Sequence, residues 1–180
     1  KLLLIGNLDQ FNRVLEMLNI NMKMMFNEKI IEFFDIEGGP VNFGQISKDA
    51  GRIAYESFET AIKLALDNKI DAVVTAPINK ESWQLAGSKY IDHTTMLKSL
   101  TNAKDISTVF EVKNLRIIFL TKHVSLAEAV KLIKKKLVIN GIKNAVEALN
   151  LLGIKHGSVV VAALNPHAGE NGLFGDEEIK

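Results

Sequence analysis

The chain has 180 residues, 47% hydrophobic and 24% charged, with 22 Lys plus Arg against 21 Asp plus Glu and a net charge of +1. That composition supplies apolar surface for a folded core, which excludes a disordered tail, and it creates no global field that would favour nucleic acid or acidic lipid. Cys is absent, which excludes disulfides, thiolate metal ligands and a cysteine nucleophile, and no apolar run is long enough to cross a bilayer. There is no signal-peptide pattern either, so the expectation is a soluble, cytoplasmic protein with neither a membrane nor a nucleic-acid partner.

Short β-rich runs alternate with helical patterns, which predicts an α/β fold with a largely parallel sheet. Leu2–Ile5 reads as a strand ending at Gly6-Asn7, followed by a helix from about Asp9 to Leu18. Ile30–Phe34 reads as a second strand, closed by the breaker stretch Gly38-Gly39-Pro40. From Ser47 to Asn68, Ile53, Ala54, Phe58, Ala61, Ile62 and Ala65 recur at helical spacing. Ala72–Thr75 is expected to be a short buried strand stopping at Pro77, and Thr94–Leu100 a helix. Thr108–Val112 and Arg116–Leu120, separated by Lys113-Asn114, suit an antiparallel hairpin.

Ser125 is placed to cap a helix, with Glu128 at the offset of a capping box. That helix is expected to run towards Ile139, with Asn140-Gly141 dividing it from another that reaches Leu152 and closes at Gly153. Ser158–Leu164 completes the series as a final strand. Lys134-Lys135-Lys136 reads as a solvated helix face. The first residue is Lys, Lys1–Ile5 already resembles a buried strand, and Asp176–Lys180 resembles the opening of a helix. Together these predict a segment of a longer protein.

Ligands in open α/β sheets collect at the carboxyl ends of strands, and three such ends carry unusual polar loops. These are Ala76-Pro77-Ile78-Asn79-Lys80-Glu81, Thr121-Lys122-His123, and Asn165-Pro166-His167-Ala168-Gly169-Glu170-Asn171-Gly172. A fourth polar cluster, Asp92-His93-Thr94-Thr95, opens a helix. Of four His residues, three fall in these clusters. His123 and His167 follow strands, where neutral imidazoles could share a divalent metal or simply bond to backbone. His93 could meet an anionic or hydroxyl-bearing substrate, or be a surface neighbour of a helix cap. Lys80 could hold a phosphate as a point charge or remain solvated. His156 has no partner in view and reads as structural. The stretch Gly169–Gly175 lacks both the Walker lysine and the G-x-G-x-x-G spacing, and no G-x-S-x-G elbow occurs.

Asn165-Pro-His-Ala-Gly-Glu-Asn-Gly-Leu-Phe-Gly-Asp-Glu-Glu178 resembles the signature of the PdxA family of 4-hydroxythreonine-4-phosphate dehydrogenases. Thr75-Ala-Pro-Ile-Asn-Lys80, His93-Thr94 and Thr121-Lys-His123 stand in that family's order and at about its spacing, and Gly44–Tyr55 with Gly51-Arg52 is similar too. The resemblance implies a three-layer α/β/α fold like isocitrate and isopropylmalate dehydrogenases, with two domains around a cleft. It implies NAD- or NADP-dependent oxidation of the secondary alcohol of a phosphorylated hydroxy acid, followed by loss of carbon dioxide from the β-keto acid. It also implies a divalent cation (zinc, magnesium or cobalt) bound by three histidines, two matching His123 and His167 and the third beyond Lys180. His93 and Thr94 match the family's substrate-contacting pair, Lys80 would contact phosphate or carboxylate, and the family's homodimers share active-site residues between subunits.

Two departures bear on substrate and completeness. Asp92 stands where the family usually has Gly, and its carboxylate could orient His93, repel an anion or hold an ammonium group. The stretch between Leu18 and Phe43 is short for the family. A Gly-Asp-Pro-Ala-Gly-type motif before the first strand and the part supplying most of the cofactor pocket are also missing, so residues 1–180 read as a partial segment. The leading reading is oxidation of 4-phosphohydroxy-L-threonine in pyridoxal phosphate synthesis. The alternatives are a 4-phospho-D-threonate or 4-phospho-D-erythronate dehydrogenase, and a non-catalytic metal- or ligand-binding domain.

Overall fold

In the computed structural model, which describes residues 1–39, 41–104 and 106–179, the chain divides into two compact units, Lys1–Ile106 and Ser107–Lys180.

The first unit is built on a parallel pair, β1 (Leu2–Gly6) and β2 (Ile31–Asp35), in the register Leu2↔Ile31 through Gly6↔Asp35. The helices α1 (Leu8–Met17) and α2 (Lys23–Asn27) connect them, α3 (Lys48–Leu66) follows, and α4 (Lys80–Leu85) and α5 (His93–Leu100) complete the unit. Asn7 joins strand and helix ends. Its side chain accepts from the Gln10 N–H, capping α1, while its Nδ2 donates to the Ile36 carbonyl at 3.0 Å. At 8% exposure, such an amide must be hydrogen-bonded on both ends to be tolerated, and it is. The chain between Leu18 and Phe43 forms α2 and β2. Of the expected breaker stretch, Pro40 lies outside the described residues.

The core of this unit is Phe58 and Ile62 from α3, Trp83 from α4 and Met96 from α5, each contributing about 1.5–3 kcal/mol when fully buried. Helix α4 presses on α3 at Gly51, where a Cβ would overlap the Ser82 carbonyl. Ser47 reinforces the junction: its hydroxyl caps α3 through the Ala50 N–H, and its own N–H donates to Ser82 Oγ at 3.2 Å. Ala72–Thr75, expected as a strand, forms no ladder here. Val74 is 94% exposed, and a β-branched run without a hydrogen-bonded neighbour is not a strand, whatever its propensity.

The second unit opens with the expected hairpin, β3 (Val109–Val112) paired antiparallel with β4 (Leu115–Ile118). The Arg116 guanidinium bonds to the directly opposed Glu111 carboxylate. Helices α6 (Leu126–Leu132) and α7 (Lys135–Leu151) follow. The Ser125 hydroxyl caps α6 through the Glu128 N–H, whereas the Glu128 carboxylate pairs with Lys131 at 3.5 Å instead of closing a capping box. The break between these helices differs from expectation. It falls at Ile133 and Lys134, both with extended backbone, and α7 runs straight through Asn140-Gly141. Gly141 is a packing residue, since a Cβ there would overlap the Leu120 side chain. Gly153 ends α7 as expected, with φ +73° and the paired bonds Gly153 N–H to Asn150 and Ile154 N–H to Leu149, a Schellman closure.

Ser158–Leu164, expected as the final strand, has no ladder partner among the described residues, and Val160 is 87% exposed. Part of this run lines a cavity of about 710 Å³ together with Leu115, Ile118, Ile142 and Leu149. Among the described residues the sheets are therefore one parallel and one antiparallel pair, an α/β chain with small sheets rather than the single largely parallel sheet expected. No described helix is long and apolar enough to cross a membrane.

Candidate functional site

His93 is the first residue of α5 and half-buried. The Phe58 ring meets its imidazole edge to face at 4.5 Å between centroids, and the Trp83 ring does so at 5.4 Å. Burial among these rings lowers the His93 pKa below its ordinary value, against the upward pull of the Asp92 carboxylate. A neutral imidazole both donates and accepts a hydrogen bond, which suits a hydroxyl-bearing ligand. Trp83 is fully buried and its indole N–H has no partner among the described residues, an arrangement that costs stability unless a polar group reaches it.

Asp92 has a structural task. Its carboxylate accepts from the Thr95 N–H at 2.8 Å and the Thr95 hydroxyl at 3.0 Å, and the Thr95 hydroxyl in turn accepts from the Asp92 N–H. This is a complete capping box, with Thr at the reciprocal position. The carboxylate that the sequence offered as a substrate selector is thus engaged at the start of α5.

Lys80 begins α4 and is exposed, with no ion pair among the described residues. Asn79 sets that start by accepting from the Ser82 N–H at 2.8 Å. Lys80 and Trp83 lie three residues apart on one helix, so they share a side of it. Through Trp83, the helix that carries Lys80 also walls His93. Thr94 is exposed beside His93.

In the second unit, His123 and His167 are both exposed, with left-handed backbone at φ +56° and +51°. His123 lies in the loop between β4 and the Ser125 cap, and the neighbouring Lys122 ammonium donates to Thr108 Oγ1 at 3.0 Å. His167 belongs to a short 3₁₀-type turn, Pro166–Gly172, in which His167, Ala168, Gly169, Glu170 and Asn171 all have positive φ. Four of those five are not glycine, and left-handed backbone costs roughly 1–2 kcal/mol per such residue. The turn is closed by its own ends. The Asn165 N–H donates to Glu178 Oε1 at 2.6 Å, and its Nδ2 donates to Glu177 Oε2 at 2.7 Å and Glu178 Oε2 at 2.9 Å. The Asn165 N–H, and then its side chain, hold the Glu178 pKa below its ordinary value.

Among the described residues, no three His, Asp or Glu side chains converge to hold a metal. His123 and His167 present exposed imidazoles, a donor type suited to zinc or cobalt. None of the candidate residues lines the apolar cavity of the second unit. Two sets of residues were not singled out from the sequence. Phe58, one ring wall of His93, was legible only as an apolar helix position, and Trp83, the other, carried no signal that tied it to His93. Asn165, Glu177 and Glu178 stood in the motif without a role, their signal being polar residues at both ends of a glycine-rich stretch.

The chain matches the family model for the pyridoxal phosphate biosynthetic protein PdxA over residues 1–180, and it belongs to the PdxA family. It is 37% identical to a Clostridium botulinum protein named "Putative D-threonate 4-phosphate dehydrogenase", over 99% of this chain and 57% of that one. A Fusobacterium nucleatum protein of the same name is 42% identical over 86% of this chain and 47% of its own length. Among solved structures, a 4-hydroxythreonine-4-phosphate dehydrogenase from Burkholderia phymatum superposes with a TM-score of 0.84 at 35% identity, covering 99% of this chain and 58% of that one. One from Klebsiella pneumoniae gives 0.77 at 36% identity, covering 83% and 46%. The chain thus spans about half the length of the relatives it matches.

Proposed function

We propose that the full-length protein is an NAD- or NADP-dependent dehydrogenase that oxidises the secondary alcohol of a four-carbon, 4-phosphorylated hydroxy acid, with D-threonate 4-phosphate as the preferred substrate. The observation that carries this reading is the placement of His93. It stands between Phe58 and Trp83 at the head of α5, with burial lowering its pKa, and the helix holding Trp83 starts at Lys80. In this arrangement the His93 imidazole, with the Thr94 hydroxyl beside it, hydrogen-bonds substrate oxygens, while the Lys80 ammonium attracts phosphate or carboxylate as a point charge. The aromatic walls exclude water from one side of His93 and so strengthen its hydrogen bonds.

His123 and His167 would hold a divalent cation, whose chemistry would be to lower the pKa of the alcohol, and a nicotinamide cofactor would supply the hydride acceptor. Subunits of a homodimer would share the site, as in the family reading, and localisation in the cytoplasm belongs to the same proposal. The order of the two substrates rests on Asp92. An amino substrate differs from the threonate by an ammonium group at C2, and discrimination in its favour needs a buried acceptor beside that group. One oxygen of the carboxylate at hand, Oδ1, is taken up by the α5 cap, and the relatives named for D-threonate 4-phosphate point the same way. This reverses the order drawn from sequence. The reading of a 4-phosphohydroxy-L-threonine dehydrogenase remains second, supported by the names of the structural relatives.

The test is NAD(P)H formation by the full-length protein with added divalent metal on the two substrates side by side. Higher kcat/KM on 4-phospho-D-threonate is expected, and preference for the amino acid would reverse the order. No turnover of either would favour a non-catalytic binding domain. His93→Ala is expected to raise KM strongly while leaving the far-UV circular dichroism unchanged.

A further inference from the structure

We infer that Asn165, Glu177 and Glu178 are positioning residues, a side-chain clasp that holds the His167 imidazole in a ligating conformation. The inference rests on the proposed metal role of His167 and adds to it the device that keeps that residue in place.

The first observation is the backbone. Five consecutive residues from His167 to Asn171 are left-handed, and such a run persists only where surrounding structure over-determines it. The second is the closure. Asn165 lies two residues before His167 and spends its N–H and both bonds of its amide nitrogen on carboxylates twelve and thirteen residues downstream. A carboxylate accepting from N–H donors makes bonds roughly twice as strong as neutral ones. The third is the fit within the loop. At Gly169 a Cβ would overlap the Gly175 carbonyl oxygen, and at Gly175 a Cβ would stand 2.8 Å from Asn165 Nδ2. The turn is therefore drawn tight across its middle as well as tied at its ends. His167 itself is exposed and rests only loosely on Phe174, with ring centroids 6.3 Å apart. Its aim therefore comes from the backbone, and the backbone is set by the clasp. Opening the clasp frees the turn to relax to right-handed or extended backbone and swings the imidazole away.

The experiment uses the full-length protein with Co²⁺ as the probe, reading both affinity and the visible d–d spectrum. Asn165→Asp keeps the shape but sets a third carboxylate against Glu177 and Glu178. It is expected to weaken Co²⁺ binding by about 10-fold or more and to alter the spectrum, the scale typical of residues that orient a metal ligand. Adding Glu178→Gln returns a donor to the pair and should bring the affinity back to within about threefold of the parent, a rescue in the sense of a coupled pair. Glu178→Ala should weaken binding to a similar degree as Asn165→Asp, and Glu178→Ala combined with Asn165→Ala should be little worse than either. Wild-type affinity and spectrum in Asn165→Asp, with binding lost in His167→Ala, would overturn the clasp and leave the metal reading standing. Unchanged binding in His167→Ala as well would overturn both. Where Glu178→Ala lowers the thermal midpoint, the isosteric Asn165→Asp and its rescue decide the matter.

Discussion

Replacing Gly51 by Ala tests the junction on which the first-unit site depends. Gly51 is buried in the first turns of α3, and a Cβ built on it would overlap the Ser82 carbonyl group and stand 2.9 Å from the Trp83 nitrogen. Ordinary carbon contacts lie at about 3.5–4.0 Å, and every atom met is backbone, so no rotamer change relieves the overlap. Helix α4 must move as a body. Overpacking of this kind costs about 1–3 kcal/mol, with the upper end expected where only backbone can yield. Against it, Ala is about 1 kcal/mol better than Gly inside a helix. The net expectation is destabilisation of about 2 kcal/mol, read as a lowered urea midpoint followed by far-UV circular dichroism. Gly6→Ala serves as the control, because nothing lies within 4 Å of a Cβ there and its backbone is not left-handed. Because α4 carries Lys80 and the Trp83 wall of His93, Gly51→Ala should also raise KM for the phosphorylated substrate. A midpoint for Gly51→Ala equal to that of Gly6→Ala would refute the packing argument.

Gly141→Ala is expected to behave differently, within about 1 kcal/mol of the parent, because the overlap is with the flexible end of Leu120 and the helix gains propensity; the same urea series checks it. Asp92→Ala removes a cap and its reciprocal bond, costing about 1 kcal/mol, yet should leave the ratio of kcat/KM for the two phosphorylated substrates unchanged. A shifted ratio would mean that the carboxylate reaches the substrate. The pKa of His93 is lowered in the folded chain, so in the window below the ordinary histidine value of about 6.5 the unfolded chain binds more protons. Stability from this group is therefore present above that value and lost as pH falls towards the folded pKa. A urea-midpoint series across pH should show this slope in the parent and less of it in His93→Phe, and an equal slope in both would remove the desolvation argument. Gly169→Ala forces a side chain into φ +83° and onto the Gly175 carbonyl, and a Co²⁺ titration should register weaker binding.

The elements legible in the sequence were those whose signal is local. Ser125 caps the helix it precedes, the helices after Asn7 and Ser47 form where the apolar spacing put them, and the Lys113-Asn114 turn joins the strands on either side of it. The failures share a cause. Ala72–Thr75 and Ser158–Leu164 have strand composition, but a strand also needs a neighbouring ladder, which no propensity encodes. Gly141 looked like a stop signal because a glycine wanted for close approach and one wanted for a turn are the same letter. The five-residue α2 has no side-chain cap and so left no mark before Ile30. The polar loops were legible as loops, and the family resemblance attached chemistry to them, but neither could show what holds the reactive groups still. Asp92 illustrates this best: Asp-x-x-Thr at the head of a helix is a capping pattern, and its chemical promise beside His93 obscured the plainer structural role. His93 depends on Phe58, 35 positions upstream, and on Trp83, ten positions upstream on another helix, while the turn of His167 is tied by carboxylates ten and eleven positions beyond it. Supporting contacts of this kind are long in sequence and short in space, so they are read from coordinates.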